Sequence, residues 1–106
     1  MSDEIKSILS QLRAGLSAAY GTRLKGIYLY GSAARGEAGH DSDIDVLVVL
    51  DSVERYGEEL KATSELVSVL SLDSGRSISR VFLSATEWEA GDSPFLVNVR
   101  EEAIAA

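Results

Sequence analysis

The sequence has no cysteine, one histidine (His40) and one proline (Pro94) among its 106 residues. Without cysteine, disulfides, thiolate metal centres and cysteine nucleophiles are excluded together. A single imidazole likewise excludes a histidine-rich cage, so any metal chemistry rests on oxygen ligands. No Pro- or Gly-rich linker, repeat or low-complexity tract divides the chain. No apolar run approaches the ~20 residues that cross a bilayer, and the start, Met1-Ser2-Asp3-Glu4, is acidic where a secretory signal is basic. The expectation is a single cytoplasmic domain over residues 1–106, with no membrane partner.

Positive charge is also scarce: ten Lys and Arg face seventeen Asp and Glu, for a net charge of −7. That balance argues against sequence-independent binding to duplex nucleic acid, which is driven by cations that neutralise phosphates. The charge is uneven. Residues 1–50 carry five basic and six acidic side chains, whereas residues 51–106 carry five and eleven. A site that handles anions is therefore expected in the first half, and the acidic second half suits a protein surface better than a nucleic acid.

What is present is an alternation of helical and extended patterns. Ile5, Ile8, Leu9, Leu12, Leu16 and Ala19 recur at helical spacing, which predicts a helix over 2–20 that stops at Gly21. Residues 24–30 read as a strand ending at Gly31, residues 32–37 as a brief helical turn, and residues 39–42 as a loop. Residues 44–50, Ile-Asp-Val-Leu-Val-Val-Leu, form a nearly unbroken apolar run, the signature of a strand covered on both faces.

Asp51-Ser52 with Glu54 reads as the cap of a long helix whose face is Val53, Tyr56, Leu60, Thr63, Val67 and Leu70, with Gly75 beyond its end. A third strand is predicted over 77–83. Ser84 with Glu87 opens a short helix closed by Gly91, and Ser93-Pro94 opens a last amphipathic helix through Phe95, Leu96, Val99 and Ala103. The order α-β-α-β-α-β-α-α describes one α/β unit.

Chemistry concentrates between Gly31 and Asp45. The first predicted strand ends in Gly31-Ser32 and turns straight into a helix start, which lets backbone N–H groups and a hydroxyl approach a phosphate with no side chain between. Taken alone, the dipeptide also reads as a tight turn with an N-cap. Asp43 and Asp45 lie two residues apart at the start of an extended segment, so both point to one face, ~7 Å apart along the chain. Two such acids repel each other unless a cation lies between them, and hard oxygen ligands suit Mg²⁺ together with substrate phosphates. Arg35 is either a phosphate partner or the ion-pair partner of Glu37 or Asp41.

Other motifs fail. Asp41, Asp43 and Asp45 occupy the first, third and fifth positions of a calcium loop, but Val46 stands where Gly is needed and Ser52 where Glu is needed. Neither Gly-x-x-x-x-Gly-Lys-Ser/Thr nor Gly-x-Gly-x-x-Gly occurs. His40 reads as a loop residue.

Gly31-Ser32, Arg35-Gly36, and Ser42-Asp43-Ile44-Asp45 leading into an apolar strand resemble the minimal nucleotidyltransferases of the DNA polymerase β superfamily. The likeness is strongest over residues 27–50 and extends, by element order, over nearly the whole chain. It implies an α+β palm-like fold, a mixed sheet of three or more strands packed by helices. It implies that Gly31, Ser32 and Arg35 bind the nucleotide, that Asp43 and Asp45 bind Mg²⁺ and are catalytic, and that a nucleoside monophosphate passes from ATP or another NTP to an acceptor hydroxyl.

One departure matters. The family carries a third carboxylate on a neighbouring strand, and the matching position here is Ser79, with Arg80 beside it. A hydroxyl is a poor Mg²⁺ ligand and no base at neutral pH. Three readings follow: an active transferase whose acceptor is a partner protein or a small molecule supplied from outside, a catalytically impaired antitoxin-like module paired with a small helical toxin of the HEPN type or with itself, or a structural subunit whose acids serve only solubility.

Overall fold

Ser2 and the two acids after it account for where the first helix begins. In the computed structural model, which describes residues 1–37, 39 and 42–106, the Ser2 hydroxyl accepts the Ile5 N–H at 3.2 Å. Asp3 and Glu4 fill the first turn, where the helix dipole favours anions. Helix α1 (Asp3–Tyr20) then buries Ile5, Ile8, Leu9, Leu12 and Leu16 of the predicted stripe, but its last buried member is Tyr20, and Ala19, expected there, is exposed.

A 3-10 turn over Gly21–Arg23 leads into β1 (Leu24–Tyr30), followed by the single turn α2 (Gly31–Ala34) and by β2 (Ile44–Leu50). After β2 come α3 (Tyr56–Ser74), β3 (Ile78–Ser84), α4 (Ala85–Ala90), α5 (Pro94–Glu102) and β4 (Ile104–Ala105). The sheet has the order β3-β2-β1-β4. β1 pairs antiparallel with β2 and β4, and β2 pairs parallel with β3 through the crossover helix α3, so the sheet is mixed. The fold is α+β, as expected.

β2 is central, and alternate residues divide its burial between two cores. Ile44, Val46, Val48 and Leu50 join α1 and α3 on one face. Leu47 and Val49 join Val99 of α5 and Trp88 of α4 on the other. By this alternation Asp45 belongs to the face that α5 covers. Tyr28 stacks on Trp88 at 4.6 Å and Tyr30 meets Phe95 edge-on at 5.8 Å, which fixes α4 and α5 over β1. No helix among the described residues is long and apolar enough to cross a membrane.

The caps at Ser84 with Glu87 and at Ser93 with Pro94 form as predicted. Three expectations are corrected. The Asp51–Glu54 box does not form: α3 begins at Tyr56, because the Asp51 carboxylate is taken by the Ser52 N–H at 2.7 Å and by Arg23 at 3.1 Å. The brief turn starts at Gly31 rather than residue 32, and β3 lies one residue later than the alternation suggested. β4 was not anticipated; it forms because β1 has a free edge, where Tyr28 and Leu29 pair with Ala105 and Ile104.

Candidate functional site

Three strand ends meet on the α5 face of the sheet. In the antiparallel register Tyr30 stands opposite Asp45, and in the parallel register Asp45 stands opposite Ser79. Asp45 is therefore flanked by the end of β1 on one side and by the start of β3 on the other. Asp43, just before β2, is exposed, and Asp45 is half-buried.

The turn at Gly31 explains why a glycine stands there. Its φ of 74° lies in the left-handed region that side chains avoid. A Cβ built on it would collide with Asp45 Oδ2 and lie 3.3 Å from Asp45 Cγ. The carboxylate thus packs directly on the Gly31 backbone, an approach only glycine allows. Ser32, half-buried, follows in α2, where its carbonyl accepts the Glu37 N–H at 2.9 Å. Among the described residues neither Asp43 nor Asp45 has a cation within ion-pair distance.

That lack of a partner shows in the acid–base chemistry. Burial pushes the Asp45 carboxyl above the usual range, the Asp43 charge pushes it further, and Arg35 opposes both. Tyr30 is raised by burial and then by the Asp45 charge. Two carboxylates two residues apart, with no cation paired to either among the described residues, fit a hard divalent cation. Among the described residues no cluster of three acids or imidazoles completes a protein-only metal cage.

Arg35 does find Glu37, at 2.9 Å, one of the partners the sequence suggested. Its other contact is one that sequence reasoning missed: Nη1 donates to Glu102 Oε2 at 2.8 Å. The second oxygen of Glu102 accepts the Gly31 N–H at 3.0 Å. The Arg35 guanidinium, followed by the Gly31 N–H, holds the Glu102 carboxyl below the usual range. No local pattern marks Glu102, because its partners lie 67 and 71 residues away in the chain.

Arg76 is a second unanticipated residue. It is only 7% exposed and donates Nη2 to the carbonyls of Gly39 at 3.2 Å and Ser42 at 3.1 Å, the latter next to Asp43. Its Nη1 faces Glu4 at 3.5 Å, and it lines a cleft of about 290 Å³ beside Ala33, Gly36 and Gly39. His40 and Asp41, read above as loop residues, lie outside the described residues.

Ser79 is exposed beside Asp45, as element order suggested. Arg80 turns away, its guanidinium donating to Thr63 Oγ1 at 2.6 Å and the Leu60 carbonyl at 2.7 Å on α3. The expected third acid is thus replaced by a free surface position, and the neighbouring cation does not reach the site.

Comparison with known proteins shows the family and the fold. The nucleotidyltransferase domain family model matches residues 9–104. A protein adenylyltransferase, MntA, of Thermococcus cleftensis is 34% identical over 70 residues, 66% of this chain and 69% of that one. The structure of a minimal nucleotidyltransferase aligns with a TM-score of 0.58 at 28% identity, covering 93% of this chain and 92% of that one. A toxin–antitoxin crystal structure with AMP-PNP aligns with a TM-score of 0.62 at 23% identity, covering 98% of this chain and 72% of that one. The family match takes in the Gly31-Ser32 turn and the Asp43-x-Asp45 segment alike, and the chain is a member of the nucleotidyltransferase domain family in its minimal form.

Proposed function

We propose that residues 1–106 act as one cytoplasmic unit that binds a magnesium nucleoside triphosphate, ATP being the expected donor, and transfers its nucleoside monophosphate to a hydroxyl on a partner protein. The observation that carries this reading is the packing of the Asp45 carboxylate on Gly31, with Ser32 next in the turn. Asp43 and Asp45 are assigned to the cation and to catalysis. Gly31, Ser32 and Arg35 are assigned to phosphate oxygens. Two carboxylates, with phosphate oxygens and water completing the shell, are a usual Mg²⁺ donor set.

Bound Mg²⁺ supplies Lewis-acid stabilisation of the charge that develops on the phosphates. The acceptor oxygen bonds to the α-phosphorus, the bridge to the β-phosphate breaks, and pyrophosphate leaves. The hydroxyl proton passes to water or to a site carboxylate. Family members generally use Mg²⁺ and an NTP. The Thermococcus relative is a protein adenylyltransferase, and the toxin–antitoxin neighbour was crystallised with AMP-PNP. The first favours a protein as the acceptor and the second a toxin as the partner; the acceptor proposed is a small helical toxin of the HEPN type.

Ser79 favours a second reading, a module that binds nucleotide and partner without turnover. Labelled ATP separates the two: transfer of its AMP to a co-purifying partner supports the transferase, and a stable complex without label supports the module. The site itself is tested by titrating Mg-ATP into the parent and into the Asp43→Asn, Asp45→Asn double variant. Binding is expected in the parent only, and equal binding by both refutes the assignment.

A further inference from the structure

We propose that Glu102 is a built-in competitor for the nucleotide, a carboxylate that occupies the Gly31 N–H and Arg35 until a triphosphate takes them over. The inference rests on the nucleotide reading given above and adds a gate to it. Each Glu102 oxygen has one donor, the Gly31 N–H at 3.0 Å and Arg35 Nη1 at 2.8 Å. A carboxylate and a phosphate make the same kind of charge-assisted contact with such donors. Both cannot be held in full.

The position of Glu102 in the fold argues that this contact is made for the site and not for the helix. Glu102 ends α5, where the helix dipole disfavours an anion, and Glu101 precedes it. Nothing local to the helix favours two acids there, so the stabilisation comes from the far partners. The side chain of Glu102 is 26% exposed and that of Arg35 46% exposed, so an incoming polyanion reaches both from solvent.

Displacement reduces apparent affinity by the fraction of molecules in which the donors are free. Just beyond Glu102, β4 pairs with β1, and the Ala106 N–H donates to the Ile27 carbonyl at 2.8 Å. Release of Glu102 frees the residue before that pairing, so β4 reports the switch.

The test is Mg-ATP titration of the full chain as parent, Glu102→Gln and Glu102→Asp, with hydrogen exchange of the parent's last residues as a readout that needs no variant. Removing the charge, or shortening the side chain by one methylene, is expected to tighten apparent binding on the order of tenfold. Mg-ATP is expected to speed exchange at residues 104–106 of the parent. Binding that is unchanged or weaker in both variants, with no faster exchange in the parent, overturns the gate and leaves the nucleotide reading standing. If the parent and both variants bind no Mg-ATP, the gate and the reading beneath it fall together.

Discussion

Replacing Gly31 with alanine separates what the site costs the fold from what it does. At φ 74° an L side chain costs ~1–2 kcal/mol in backbone energy. The new Cβ would also strike Asp45 Oδ2 and press on Asp45 Cγ at 3.3 Å, closer than an ordinary van der Waals contact. The Asp45 side chain must rotate and give by a few tenths of an ångström, which costs ~0.5–1.5 kcal/mol for an off-rotamer side chain. The total is about 1.5–3.5 kcal/mol, against a typical domain stability of ~5–15 kcal/mol. The variant therefore folds, with a thermal midpoint lowered by roughly 10 °C for a chain of this size.

The two contributions are separable by a double-mutant cycle with Asp45→Ala, measured by urea unfolding. The backbone cost persists in the Asp45→Ala background, the rotation cost vanishes, and the coupling is ~1 kcal/mol. Mg-ATP binding by Gly31→Ala alone is expected to be lost although the protein is folded, because the carboxylate has been turned out of place. A Gly31→Ala cost below ~0.5 kcal/mol, or one equal in both backgrounds, refutes the packing of Asp45 on Gly31 as the reason for the glycine.

Two further outcomes follow from the same carboxylate. Asp45 has a folded pKa raised above its ordinary 3.8, so the native state holds this proton more tightly than the unfolded chain and stability falls as pH rises above that value. Without Mg²⁺, Asp45→Asn should melt above the parent at neutral pH and level with it below about pH 4, and a variant no more stable at neutral pH contradicts the assignment. Ser79→Asp places a third acid in register with Asp45 and should tighten Mg²⁺ binding on the order of tenfold, as ligand charge count sets affinity; isothermal titration showing no change removes Ser79 as the missing ligand position.

Much of the fold was legible because its signals are local. The run from Ile44 to Leu50 could only be a strand covered on both faces, and the Ser84–Glu87 and Ser93-Pro94 pairs marked helix starts that formed where they stand. The Asp51–Glu54 pair had the same local form and failed, because Arg23, 28 residues earlier, competes for Asp51. Glu102, Arg76 and β4 share that character: each is defined by a partner distant in sequence, and none has a pattern of its own.

The same distinction bears on whether the site is complete. Ser79 and Arg80 are adjacent in sequence, where they look like one substitution that swaps an acid for a hydroxyl and a cation. The pleat parts them: Ser79 faces the side that Asp45 uses, while Arg80 pairs with Val46 and is spent on Thr63 and Leu60 of α3. The departure from the family is thus one exposed side chain beside Asp45, with the neighbouring Arg80 turned to α3. Under the proposed function such a site keeps the donors assigned to a magnesium nucleotide and lacks the acid best placed to draw a proton. Of the two steps in the proposed reaction, binding is the one to which this chain's own residues are assigned. The proton's destination decides between transferase and module.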